Sequence, residues 1–90
     1  MKGDLRFDWD ESSLSHIAGH AVTAEELEQA IENDPEDQEY DVVRGEERWT
    51  SIVHTDLLRV LIVKWTMRGD RVRIVTAMGR LDYFRAKGVL

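Results

Sequence analysis

From Leu5 to Trp9 the chain alternates. Leu5, Phe7 and Trp9 fall on one side and Arg6 and Asp8 on the other, the period-2 pattern of a half-buried strand. Asp10 then has a side chain suited to capping a helix, and Trp9 and Leu14 flank it at hydrophobic-staple spacing. A helix is predicted from Glu11 to about Gly19, with Leu14, Ile17 and Ala18 on its buried stripe. Thr23 opens a second helix. Thr23 and Glu26 have capping-box spacing, and Val22 and Leu27 supply a second staple pair. Leu27, Ala30 and Ile31 mark its core face, while Glu25, Glu28, Gln29 and Glu32 face water. Asn33-Asp34-Pro35 ends it, because proline disfavours the α conformation in the residue before it.

Beyond Pro35 the period changes. Glu36 to Asp41 reads as an exposed acidic connection entering a strand near Tyr40–Val43, and Arg44-Gly45-Glu46-Glu47 reads as a turn. Three strand-like runs follow, Arg48–Thr55, Leu58–Thr66 and Arg71–Ala77. Asp56 and then Arg68-Gly69-Asp70 separate them, so two antiparallel hairpins are predicted. In the last run Val72, Ile74 and Thr76 fall on one side and Arg71, Arg73 and Val75 on the other. A short terminal helix, roughly Leu81 to Lys87, closes the chain. The order predicts an α+β fold: an antiparallel sheet, two N-terminal helices on one face, a short C-terminal helix, and the other sheet face open for binding.

Ninety residues suit one domain, 1–90, with no room for a second core. Apolar residues at 42% and charged residues at 33% describe a globular chain rather than a disordered one. There is no cysteine, which excludes disulfides, a thiolate nucleophile and Cys-ligated zinc or iron–sulfur sites, and suits a reducing compartment such as the cytoplasm. The N-terminal segment has no apolar signal-peptide core. Val60 to Val63, the longest strongly apolar stretch, is far too short to cross a bilayer.

Charge changes the picture more than composition does. The formal net charge of −6 argues against a polyanionic partner, but it is unevenly spread. Residues 1–47 hold 15 Asp/Glu against 3 Lys/Arg, a net of −12; residues 48–90 hold 3 against 9, a net of +6. Local field decides which polyanion can approach. Arg48, Arg59, Lys64, Arg68, Arg71, Arg73, Arg80, Arg85 and Lys87 all fall on or beside the predicted sheet and terminal helix. Arginine forks suit phosphate oxygens, and Trp49, Trp65 or Tyr83 could offer stacking surfaces to unpaired bases. The plainer alternative is a sheet whose arginines pair with acids and whose tryptophans are core.

His16 and His20 are four apart, so a helix brings them to one side, away from the apolar stripe. Such a pair can bind a metal, but no third ligand is evident, and helix-terminal hydrogen bonding by His20 is the simpler reading. No native metal or cofactor is expected. Asp8, Asp10 and Glu11 are explained by capping at a strand–helix junction. There is no glycine-rich phosphate loop and no Gly-x-Ser-x-Gly elbow.

Several ordered segments resemble the BrnT family of toxin–antitoxin ribonucleases. Phe7-Asp8-Trp9-Asp10-Glu11 is similar to the family's opening F-x-W-D strand. His20-Ala21-Val22-Thr23-Ala24-Glu25-Glu26 stands where the family has His-Gly-Val and a capped helix with paired acids, and Asn33-Asp34-Pro35 ends that helix in the family manner. Gly45-Glu46-Glu47-Arg48-Trp49 resembles the G-E-x-R-W turn and strand, and Arg71-Val72-Arg73-Ile74-Val75-Thr76-Ala77 the closing R-x-R strand. Met78 stands where the family usually carries arginine, and Ala21 where it carries glycine. The resemblance implies a RelE-like fold, an endoribonuclease toxin, an RNA substrate and a cognate ribbon-helix-helix-type antitoxin. It also implies cleavage by attack of the ribose 2′-hydroxyl on the adjacent phosphate. On this reading Arg48, Arg71 and Arg73 are phosphate clamps, and His20 or Lys64 transfers protons. The alternative from another class is a non-catalytic protein-interaction module on the same scaffold.

Overall fold

The computed structural model describes residues 5–33 and 35–88. Its elements are α1 (Glu11–Ala18), α2 (Ala24–Ile31), β1 (Glu36–Val43), β2 (Glu46–His54), β3 (Val60–Arg68), β4 (Arg71–Gly79) and α3 (Arg80–Ala86). The strands form one antiparallel sheet in the order β1-β2-β3-β4. Leu5 to Trp9 contributes a bridge instead of a full strand. Phe7 lies parallel to Val72, with Asp8 N–H donating to the Val72 carbonyl and Val72 N–H to the Arg6 carbonyl. The acidic segment expected to be a connection is strand, β1 beginning at Glu36. Pairing with β2 supplies backbone partners there that local propensity does not foreshadow.

Register explains the core. Ser51 and Val53 of β2, Leu61, Val63 and Trp65 of β3, and Val72, Ile74 and Ala77 of β4 share one face. Ile17 of α1, Val22, and Leu27 and Ala30 of α2 complete the buried cluster on that face, so both N-terminal helices pack there. Leu14, predicted on the buried stripe of α1, is 41% exposed, and Ala18 is exposed too; Ser13 and Ile17 are the buried positions. The helix is rotated because Ser13 is drawn inward by the cap described below. In β4 the pairing runs Lys64↔Thr76 and then Trp65↔Ile74, leaving Val75 as a bulge. That extra residue turns Thr76 to the face opposite Ile74 and sends Ala77 into the core, where simple alternation predicts the reverse.

The second face is not left open. Glu39, Thr50, Lys64 and Thr76 form one row across it, and α3 folds over this side. Tyr83, 8% exposed, donates its hydroxyl to Glu39 at 3.1 Å, and Lys87 pairs with the same carboxylate while lying 5.0 Å over the Tyr83 ring. The Lys87 hydrogen bond, then that of Tyr83, holds Glu39 below the usual carboxylate range.

Two corners position the helices. α1 closes in a Schellman-type turn: Val22 N–H returns to the Ile17 carbonyl and Ala21 N–H to that of Ala18, with Ala21 in the left-handed region at φ 58°. The alanine at this corner therefore occupies a conformation that costs an L-residue roughly 1–2 kcal/mol. Thr23 then caps α2, its hydroxyl accepting from Glu26 N–H at 3.1 Å. The Glu26 carboxylate does not return the bond; it takes Arg59, whose guanidinium also donates to the Ala21 carbonyl. At the β1–β2 hairpin Arg44 (φ 54°) and Gly45 (φ 80°) are both left-handed, the two-residue turn that suits the twist of paired strands.

Thr23→Ala is expected to cost about 1 kcal/mol, the loss of a good N-cap, which lowers the melting temperature by roughly 4–8 °C in a chain of this size. Ala21→Gly is expected to act oppositely. Relief of the roughly 1–2 kcal/mol of left-handed strain, less about 0.4–1 kcal/mol of added unfolded-state entropy, leaves a gain of about 0–1.6 kcal/mol. Thermal unfolding followed by circular dichroism measures both; a Tm unchanged by the first or lowered by the second contradicts these assignments.

Candidate functional site

Asp10 builds the site. Its Oδ1 accepts from Ser13 N–H at 2.7 Å while Asp10 N–H donates to Ser13 Oγ at 3.2 Å, a reciprocal cap in which a serine stands where a longer acid or amide is usual. The second oxygen, Oδ2, faces Nη2 of Arg73 at 3.1 Å. One carboxylate therefore starts α1 and ties it to β4. The first turns of the helix are held along β4, where their outer side borders a row on the second sheet face in which Arg73 opposes Thr66 and Arg48 lies one step beyond the Trp49–Trp65 pair.

A cleft of about 240 Å³ results, lined by Ser12, Ser13 and His16 of α1 and by Glu46, Arg48, Arg68, Arg73 and Val75 of the sheet. Small-molecule pockets usually span roughly 300–1,000 Å³, so this one suits a small anion such as a phosphodiester group, with larger attached groups outside. Each cleft arginine is held by a carboxylate: Arg73 by Asp10, Arg48 Nε by Glu46 at 2.9 Å, and Arg68 by Asp8 at 3.6 Å. These pairs are solvent-accessible, worth about 0.2–1 kcal/mol each, so an anion offering bidentate oxygens can compete for the guanidiniums they orient. Behind the cleft, the His16 ring lies 5.9 Å from that of His20, and His20 Nδ1 is 3.4 Å from Asp82 Oδ2 at the start of α3. A line of titratable side chains thus runs from the cleft to α3.

The five residues singled out in the sequence separate here. Arg48 and Arg73 share the cleft. Arg71 stands exposed opposite Arg68 at the start of β4, on the Arg73 face but outside the cleft lining. Lys64 lies on the same face in the Glu39–Thr50–Lys64–Thr76 row, also outside it. His20 sits one helical turn beyond His16, against Asp82. His16 and Arg68 are the cleft residues that sequence reasoning passed over. The i, i+4 histidine pair was visible, but only the rotation of α1 shows that His16 overlooks arginines. Arg59 is held by Ala21, His20 and Glu26. Met78 opposes Ile62 and does not line the cleft, so the cleft's arginines do not depend on that position. Among the described residues no three His, Cys, Asp or Glu side chains gather as a metal site.

The Asp10 carboxyl is held below its ordinary value of 3.8, first by the Ser13 backbone N–H, then by the Ser13 hydroxyl, with Arg73 and Arg68 adding to the effect. A carboxyl with a depressed folded-state pKa stabilises fully above its unfolded value and loses that contribution as pH falls through the folded one. The docking of α1 is therefore expected to be insensitive to pH above about 5 and to weaken below 3.8. Asp10→Asn keeps a good cap but loses the charge, and is expected to remove this acid limb. Thermal unfolding of both proteins between pH 2 and 6 measures it; parallel acid limbs contradict the assignment.

Comparison with known proteins gives one match. The family model described as "Ribonuclease toxin, BrnT, of type II toxin-antitoxin system" matches residues 9–79, a span that contains α1 and all four strands and every residue lining the cleft. Neither the curated proteins nor the solved structures gave a match. No helix among the described residues is long and apolar enough to cross a membrane. With the match covering most of its length, the chain belongs to the BrnT family of type II toxin–antitoxin ribonuclease toxins.

Proposed function

We propose that the α1–sheet cleft receives the scissile phosphate of a single-stranded RNA and that the protein cleaves it by attack of the 2′-oxygen. The convergence of Arg48, Arg68 and Arg73 with His16 in one small cleft carries this reading. In the reaction the ribose 2′-hydroxyl loses its proton, its oxygen bonds to phosphorus, and the 5′-oxygen leaves with a proton. The products are a 2′,3′-cyclic phosphate and a 5′-hydroxyl end. Arg73 and Arg48 bind the non-bridging oxygens and stabilise the charge that grows on them, a role in which a preorganised donor matters most. His16 is the proton-transfer group within the cleft. His20, held by Asp82, acts through His16 as a positioning residue. Lys64 and Arg71 stand on the same face on either side of Arg73 and are assigned to the flanking phosphates.

Membership of the family supports the setting. A ribonuclease toxin acts on RNA in the cytoplasm and is masked by a cognate antitoxin, here read as a ribbon-helix-helix-type protein. One observation favours the non-catalytic alternative: Asp8, Asp10 and Glu46 already neutralise the cleft arginines, as they would in a purely structural network. Salt dependence separates the two. An RNA site releases counterions on binding, and log K falls with log salt by about 0.7 per phosphate neutralised.

Arg73→Lys, which keeps the charge and loses the fork, is expected to reduce cleavage of a short oligoribonucleotide by about 10²–10³-fold, the usual effect of removing one such donor. His16→Gln is expected to reduce it about 10²–10⁴-fold with RNA affinity preserved. Cleavage assays beside binding isotherms at several salt concentrations measure both. A wild type that binds RNA without salt dependence, or variants that cleave as the wild type does, rejects the cleft as the active site.

A further inference from the structure

β1 is an edge strand with two unlike sides. The Arg44–Gly45 turn makes Val43 and Glu46 the hydrogen-bonded pair that closes the hairpin, so alternation turns the N–H and C=O of Val42 and Tyr40 away from β2. On the core face, Tyr40 and Val42 are 55% and 51% exposed and Met67 is 44% exposed, next to Trp49. Tyr40 leans on Trp49 at 5.7 Å and Trp49 stacks on Trp65 at 4.8 Å, an aromatic ladder running from beneath the helices to the edge. On the opposite face the same strand carries Glu36, Glu39 and Asp41, and Asp41 stands opposite Arg48 of the cleft in the strand register. From Glu39 to Val42, on the hairpin side of the register shift at Asp37/Glu39, acidic and apolar side chains therefore alternate along an edge whose outward backbone groups are placed for strand pairing.

The charges select the occupant. A second copy pairing edge to edge would set acids against acids, the usual device by which edge strands avoid self-association. RNA meets the same repulsion, from strand and N-terminal half alike, residues 1–47 carrying a net of −12. We propose that β1 accepts an added strand from a partner protein in which apolar residues alternate with Lys or Arg. The apolar side chains lie on Tyr40, Val42 and Trp49, and the basic ones face Asp41, beside the Glu39 carboxylate that Lys87 and Tyr83 hold. Backbone pairing supplies the general affinity of strand addition and the two-sided pattern supplies its specificity. The proposal rests on the reading of the chain as a toxin with a protein antidote, and names the chemistry of the segment the antidote contributes. Because Asp41 adjoins Arg48, an added strand also borders the entrance to the phosphate cleft. To bind, it must displace the Asp41 carboxylate from the Val42 N–H, which it now takes at 2.8 Å.

The test uses the full chain, uniformly ¹⁵N-labelled, titrated with capped nine-residue peptides: alternating Val and Lys, alternating Val and Glu, and alternating Gly and Lys, with an oligouridylate alongside. The Val/Lys peptide is expected to move the amides of Tyr40 and Val42, and to bind at least tenfold more tightly than the other two peptides. Its affinity is expected to drop about tenfold or more with Tyr40→Ser plus Val42→Ser, and again with Asp41→Lys, while Arg73→Ala leaves it unchanged. Four results overturn the proposal: no shift at millimolar Val/Lys peptide, equal binding of the Val/Glu peptide, oligouridylate shifting the β1 amides instead, or a dimer in sedimentation that Val42→Asp dissociates. Loss of RNA cleavage in Arg73→Ala bears only on the phosphate cleft, so failure of the two readings is told apart.

Discussion

The arrangement depends on one carboxylate serving two partners. Asp10 caps α1 through Ser13 and holds Arg73 through its other oxygen, so the start of the helix is fixed both in angle and in distance from β4. Either bond alone leaves a degree of freedom: a cap fixes where a helix begins but not where it lies, and an exposed ion pair tethers without aiming. Together they bring His16 over the arginine row and bury Ser13 in place of Leu14. The pair also keeps Arg73, the least exposed of the three cleft arginines, extended toward the space an anion would occupy.

The sheet contributes its own asymmetry. The bulge at Val75 allows β4 to offer Val72, Ile74 and Ala77 to the core while Arg73 and Thr76 point the other way. α3 then covers only part of that second face, anchored by Tyr83 and Lys87 on Glu39. What remains uncovered is the arginine row beside α1. The segregation of charge along the chain thus becomes a segregation in space. The basic second half supplies the cleft cations, and the acidic first half supplies their counterions and the outer edge of the sheet.

Much of the fold was legible. Thr23, Val22 and Leu27 announce α2, Arg44-Gly45 and Gly69-Asp70 mark hairpins, and Val72 and Ile74 mark a core face, because caps, turns and short-range periodicity are encoded locally. The illegible parts are those decided by distant partners. Glu36–Asp41 is strand because β2 pairs with it; Thr76 changes face because of a bulge that leaves no mark in the alternation; Leu14 is exposed because Ser13 is claimed by the cap. At the site, charge places Arg48 and Arg73 among nine basic residues of the second half, and it is the resemblance to the family that singles them out as phosphate clamps. His16 was set aside because histidines at i, i+4 suggest a metal pair, and its neighbours come from strands some 30 to 60 residues away. Ala21 is instructive in another way. The family's glycine at that position matches the left-handed corner observed there, a backbone requirement that this chain meets with an alanine.

The proposed function requires the arginines of the α1–sheet cleft, and His16 with them, to meet the phosphate. Titration of the protein with a short oligoribonucleotide carrying a 2′-deoxy sugar at the cleavage position blocks the reaction and leaves binding intact. Side-chain NMR can then follow the Nε–H of each arginine and the imidazole of His16. Arg48, Arg68, Arg73 and His16 are expected to shift together with one dissociation constant, with Arg59 silent. Shifts confined to Arg80 and Arg85, with the cleft resonances unmoved at saturation, would contradict it.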